Sequence, residues 1–191
     1  MDWLGGIFSH VCGQGRCFSI DGAALPLCQR CLGLYAGAAI TFAWVAATSL
    51  WRKGLVSWPV LTANIIVLAA AIAGGVHWFD LSPAWRFACG AWTGHVFVLW
   101  LTGASYYLWR IRRDTSFNPA WTRRDTVHAL LMPIALLLAA LCIDRLLPLG
   151  WWPWSLISLA GLIILMVCVV LSLSLAFLHA FRFVHRHSAS P

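Results

Sequence analysis

Four long stretches of this chain carry no charged side chain: 32–51, 54–79, 87–109 and 155–178. An α-helix rises about 1.5 Å per residue, so about 20 apolar residues cross a hydrocarbon layer of roughly 30 Å. Each stretch is therefore predicted to be a membrane-spanning helix. A fifth apolar run, Ala129–Ile143 within 128–147, is shorter and ends at Asp144-Arg145. It is predicted to cross as well, with those two ions at headgroup level. Pro133 is expected to kink it, because proline removes one backbone hydrogen bond. Tryptophans sit at or beside the proposed ends: Trp51, Trp58, Trp78, Trp85, Trp109, Trp121, Trp151, Trp152 and Trp154. Their amphipathic rings suit the boundary between lipid and water. The predicted fold is all-α, a polytopic transmembrane bundle of about five spans. A Cys-rich extracytoplasmic segment, 1–27, packs on the bundle, 28–182, and a basic cytoplasmic tail, 183–191, follows it.

Composition narrows the class. Of 191 residues, 61% are hydrophobic and 10% are charged, whereas soluble domains carry roughly 25% charged residues. That excludes a nucleic-acid-binding domain and a soluble enzyme with a conventional surface. The net charge of +7 is better read as topology. Arg52, Lys53, Arg110, Arg112, Arg113, Arg123, Arg124, Arg182 and Arg186 fall on one side of five spans; Arg16, Arg30, Arg86 and Arg145 fall on the other. Cytoplasmic loops carry the excess of Lys and Arg. The N-terminus is thus expected outside and the C-terminus in the cytoplasm of a bacterial-type inner membrane. Met1-Asp2-Trp3-Leu4 lacks a positive region, so the N-terminal segment is expected to be retained. Asn118-Pro119 reads as a helix start, and His185-Arg186-His187 as a solvated basic end.

The candidate chemistry is sulfur. Cys12, Cys17, Cys28 and Cys31 lie within the first 31 residues, in the pattern C-x4-C-x10-C-x2-C. Residues three apart on a helix share a face. A helix N-terminus and the neighbouring Arg30 both favour thiolate. Such a pair suits metal ligation or disulfide exchange. Two structural disulfides are a third possibility, which an oxidising compartment favours. Cys142 and Cys168, inside apolar spans, read as small buried hydrophobes.

These residues resemble the bacterial and archaeal membrane family called domain of unknown function 2085. The run Cys12-Gly13-Gln14-Gly15-Arg16-Cys17-Phe18, followed by Pro26-Leu27-Cys28-Gln29-Arg30-Cys31-Leu32-Gly33-Leu34-Tyr35-Ala36-Gly37, is similar to the family's C-H-Q-x-x-x-R-S-F and P-x-C-x-R-C-x-G-x-Y-x-G. Asp80, Ser82, Arg86, Gly90 and Gly94 are similar to its later D…S-x-x-x-R-x-x-x-G-x-x-x-G stretch. The family name implies a membrane fold and no activity. Two departures stand out: Gly13 replaces the family's His, and Cys17 replaces its Ser. Zinc accepts thiolate and imidazole alike, whereas a disulfide cannot accept His. The exchange favours a four-Cys, zinc-like site of Cys12, Cys17, Cys28 and Cys31; His10 stays open as a ligand.

Other polar residues are expected around it. Arg16 and Arg30 flank the cysteines. His77, Asp80, Arg86 and Cys89 fall at the same end, with an Asp80–Arg86 pair expected to close over the site. His95 lies about 12 Å deeper along the third span and is expected to hydrogen-bond a neighbouring helix. Gly33-x3-Gly37 and Gly90-x3-Gly94 predict close packing of the first and third spans.

Two functions follow. The first is a binding or structural subunit of a larger membrane complex, with bound zinc and the lipid bilayer as surroundings. The second is a thiol–disulfide/quinone oxidoreductase using Cys28/Cys31 and Cys12/Cys17. It resembles bacterial disulfide-forming membrane proteins in that one motif spacing. A transporter ranks last, because neither inverted repeats nor paired broken helices are evident.

Overall fold

The computed structural model describes residues 16–20, 22–75, 81–113 and 121–188. It is a helical bundle capped by a small β-hairpin. The hairpin pairs β1, Cys17–Ile20, with β2, Ala23–Cys28, antiparallel. Among the described residues five long helices follow, α1 Gln29–Thr48, α2 Trp58–Gly75, α3 Pro83–Arg113, α4 Arg123–Leu141 and α5 Trp151–Ser188, with one short helical turn at Ile143–Leu146 before α5.

The hairpin departs from the all-α expectation. Its side chains alternate with the period of a strand. Phe18 and Ile20 point inward from β1, and Leu25 and Leu27 do so from β2. All four join the core of Leu32, Tyr35, Phe87 and Trp154. Gly22 turns the chain with φ of 78°, a conformation that glycine adopts without steric cost. Burial of these four side chains seats the N-terminal strands on the end of the bundle.

Among the described residues, four helices are long and apolar enough to cross a membrane: Gln29–Thr48, Pro83–Ile111, Arg123–Leu141 and Trp151–Phe181. A shorter apolar helix covers Trp58–Ala73. The five predicted spans are thus all helical, but their ends differ. α4 begins at Arg123 rather than near residue 128, because Thr122 caps it and forms a reciprocal capping box with Asp125. The Asp125 carboxylate accepts from the Thr122 backbone N–H at 2.9 Å, and the Thr122 hydroxyl accepts from the Asp125 N–H at 3.2 Å. Lys53 adds an ion pair to Asp125 at 3.1 Å. The proposed start at Asn118-Pro119 lies outside the described residues. Helix α5 runs on to Ser188, so most of the expected tail continues the last helix. Asp125→Ala is expected to cost about 1–2 kcal/mol, the worth of a cap plus a small ion-pair contribution. Thermal unfolding in detergent measures it, with Arg123→Ala as a control expected to change little.

Glycines set the closest helix pair, α1 against α3. A Cβ placed on Gly33 would overlap the Phe87 carbonyl, and one on Gly37 the Ala91 carbonyl. In return, Gly90 faces the Arg30 carbonyl and Gly94 the Leu34 carbonyl. The predicted contact of the two GxxxG faces is what forms. Partner numbers rise together along both helices, so α1 and α3 run parallel. Gly161 of α5 meets the Tyr35 carbonyl, and Ser172 of α5 meets Ser105 of α3 at 2.8 Å. The odd-numbered helices are therefore parallel, as alternating spans require. α5 leaves Leu156, Ile163, Met166, Val170, Leu173 and Phe177 exposed. A helix that apolar and that exposed fits a lipid surround.

Candidate functional site

The site grows from the junction of β2 and α1. Cys28 ends the strand and caps the helix. Its backbone is extended (φ −66°, ψ 158°), and its Sγ accepts from the Cys31 N–H at 3.5 Å. A sulfur thus stands where Ser, Thr, Asp or Asn usually satisfies the first turn's unpaired N–H groups. Partial positive charge at a helix N-terminus favours thiolate. Cys31 follows one turn later on the same face.

Strand pairing adds a third sulfur. Cys17 is the register partner of Cys28. Directly opposed antiparallel residues have Cα atoms about 4.5–5.5 Å apart, within the roughly 4.4–6.8 Å that disulfides span. The Gln29 N–H donates to the Arg16 carbonyl at 3.0 Å and closes the hairpin onto the helix. Arg16, Cys17, Cys28, Arg30 and Cys31 therefore share one end of the bundle. Arg86 reaches it from α3, donating from Nη1 to the Gln29 Oε1 at 3.3 Å. Cys89, one turn beyond Arg86, is within electrostatic reach of Arg30. Cys12, His10, His77 and Asp80 lie outside the described residues. The expected Asp80–Arg86 pair does so with them.

Among the described residues, no group of three or more His, Cys, Asp or Glu is gathered tightly enough to hold a metal ion. Cys17, Cys28 and Cys31 thus share an end of the bundle without forming a metal-ligand set by themselves. Gln29, which sequence reasoning passed over, is the residue that ties Arg86 to the cysteine turn. Position alone, next to Cys28, was its signal.

His95 belongs elsewhere. It is buried in the α1–α3 interface, where Nδ1 lies 3.2 Å from the Thr41 hydroxyl. Thr41 is thirteen residues beyond Cys28, roughly 20 Å along the helix at its usual rise. His95 is thus an interhelical pin, as expected, and not part of the sulfur site. Thr41→Val leaves that nitrogen without its partner in a 1% exposed side chain. The expected loss is about 0.6–2 kcal/mol, read as a lower detergent unfolding midpoint. Cys168 is buried as expected, but Cys142 is exposed. It sits at the end of α4 as the helix C-cap.

Apolar helices of spanning length, parallel odd helices and an exposed apolar exterior together define a polytopic α-helical membrane protein. Residues 12–101 match the family model described as predicted membrane protein (DUF2085), so the segment from the first clustered cysteine into α3 is similar to that family. The chain matches no curated protein and no solved structure.

Proposed function

We propose that this membrane protein exchanges disulfides through Cys28 and Cys31. The observation that carries this reading is the Cys28 sulfur at the N-cap of α1, accepting the Cys31 N–H. That position favours the Cys28 thiolate as the group that leaves when the substrate disulfide forms, and it keeps a second thiol one turn away to close the Cys28–Cys31 disulfide again. In the oxidised protein, a substrate thiolate attacks the Cys28–Cys31 disulfide. A mixed disulfide forms with Cys28, and Cys31 leaves as thiolate. The second substrate thiol then displaces Cys28. The substrate departs as a disulfide, and both cysteines hold the two electrons and two protons. Reoxidation would need a two-electron acceptor, and a quinone of the bilayer would serve by taking these up as hydroquinone. Cys17, opposite Cys28, is the sulfur that would carry the disulfide outward to Cys12 and the N-terminal segment while electrons pass the other way.

The basic excess near Arg52, Arg110 and Arg123 supports an N-terminus outside and a cytoplasmic C-terminus. The sulfur end then faces the oxidising side of an inner membrane. A second reading has one observation in its favour. Gly13 and Cys17 exchange a family His and Ser in a way that suits four thiolates around zinc. In that case Cys12, Cys17, Cys28 and Cys31 anchor the hairpin of a structural subunit. Equilibrating the detergent-purified protein with glutathione buffers separates the two. Disulfide exchange predicts a two-electron transition involving Cys28 and Cys31, with a dithiol substrate oxidised in stoichiometric amount. No transition across the buffer range, with one tightly held zinc per chain, would contradict it.

A further inference from the structure

We propose that a tryptophan-walled cavity at the opposite end of the bundle binds a lipid quinone, an uncharged dicarbonyl ring on an apolar tail. The cavity, about 720 Å³, lies where the start of α2 meets the later turns of α3 and the approach to α4. Leu55, Trp58, Leu61, Trp100 and Trp121 line it. Leu55 and Trp58 are 48% and 79% exposed, so one side opens outward. The cavity stands apart from the sulfur site. Cys28 lies at one end of α1 and the cavity beyond the other, and those 20 residues alone span roughly 30 Å.

Two indoles in the wall lack partners. The Nε1–H groups of Trp100 and Trp121 are buried, and neither meets an acceptor among the described residues. An indole N–H only donates, and a buried tryptophan usually finds an acceptor. Ser57, also in the wall, does not supply one. Its hydroxyl lies 3.5 Å from that of Thr126, and its carbonyl accepts from the Leu61 N–H at 2.9 Å. Asn64 follows Leu61 by one turn on the same face of α2. It is 1% exposed. Its Oδ1 accepts from the Trp92 Nε1–H at 3.3 Å, and its Nδ2 has no partner among the described residues. The groups left unmet here are thus all donors, and the described residues of the wall carry no charge. Their complement is an acceptor that brings neither charge nor further donors. A quinone is that ligand. Its two carbonyl oxygens accept, its flat ring packs against indole faces, and its tail leaves past Leu55. Volumes of about 300–1,000 Å³ suit ligands of that size. A charged ligand would lose hydration against a wall that cannot pair it, and an alcohol would add a donor where donors are already in excess.

Native mass spectrometry of the full chain tests this, with a decyl-substituted p-benzoquinone as the probe. The protein is held in detergent micelles containing excess phosphatidylcholine, so that ester carbonyls compete throughout. One retained quinone per chain is expected. Decylbenzene, which lacks both oxygens, should be retained at least about fivefold less well, the weight of one neutral hydrogen bond. Trp100→Phe and Trp121→Phe each keep a ring and delete a donor. Each should weaken retention by a similar factor, and the double variant should lose it. The deleted donors are unmet in the free protein, so the detergent unfolding midpoint should not fall. Ala104→Leu narrows the cavity from α3, leaves both indoles in place, and should also lower retention. Cys28→Ser should bind the quinone as the wild type does. Equal retention of decylbenzene would overturn the proposal, and so would unaltered binding in the double Phe variant. Binding lost in Cys28→Ser but kept in the Phe variants would put the ring at the sulfur end and overturn it as well.

Discussion

Gly90→Leu will prevent stable folding of the bundle. A Cβ at this position would overlap the Arg30 carbonyl, and the Leu34 backbone is the next obstacle. Backbone cannot swing aside as a flexible side chain does. Overpacking usually costs about 1–3 kcal/mol, and a backbone clash lies at or beyond the upper end of that range. The damage reaches the sulfur site directly, because Arg30 stands between Cys28 and Cys31 in the first turn. We expect a detergent unfolding midpoint too low to measure, or aggregated protein. Gly161→Leu should act similarly through the Tyr35 carbonyl. Ala43→Leu, on an exposed position of α1, should leave the midpoint unchanged. A well-folded Gly90→Leu protein would show that α1 and α3 are not locked through these glycines.

The second large effect separates folding from chemistry. Cys28→Ser should abolish disulfide exchange and leave the fold intact. A serine hydroxyl caps a helix well, so it replaces the sulfur as acceptor for the Cys31 N–H; Cys28→Ala should cost about 1 kcal/mol instead. Cys31→Ser should retain the Cys28 thiolate, which attacks a disulfide such as oxidised glutathione, releases one thiol and holds the mixed disulfide that Cys31 would otherwise resolve, visible by mass. Loss of the hairpin in Cys28→Ser, with release of a stoichiometric metal, would point to the four-thiolate reading. The serine variant keeps the cap, so the helix start stays the same in both outcomes.

The spans were legible because hydrocarbon imposes a composition that little else in a protein needs. The α1–α3 contact was legible because glycines four apart remove the side chains that hold helices apart. Helix ends were less legible. Arg123, Arg124 and Asp125 mark the end of hydrocarbon in sequence, yet they form the first turn of α4 through the Thr122 cap. Charge ends a span before it ends a helix. The hairpin had a signal that was passed over. Asp21-Gly22 lies between Phe18/Ile20 and Leu25/Leu27, an alternation about a turn that marks a hairpin. Four closely spaced cysteines drew the same segment toward a reading by ligands rather than by strands. Within the site, the C-x2-C spacing gave the shared helical face. The reach of Arg86 to Gln29 depends on how α3 docks beside α1, and no local pattern carries it.

Disulfide mapping of the untreated protein decides whether Cys28 works in disulfide exchange. Thiols are blocked on extraction, the protein is digested, linked peptides are identified, and metal is quantified on the same sample. Exchange through Cys28 predicts Cys28 linked to Cys31 or to Cys17, full conversion to thiols by a mild dithiol reductant, and no stoichiometric metal. One zinc per chain, with Cys12, Cys17, Cys28 and Cys31 all protected and none disulfide-linked, would contradict it.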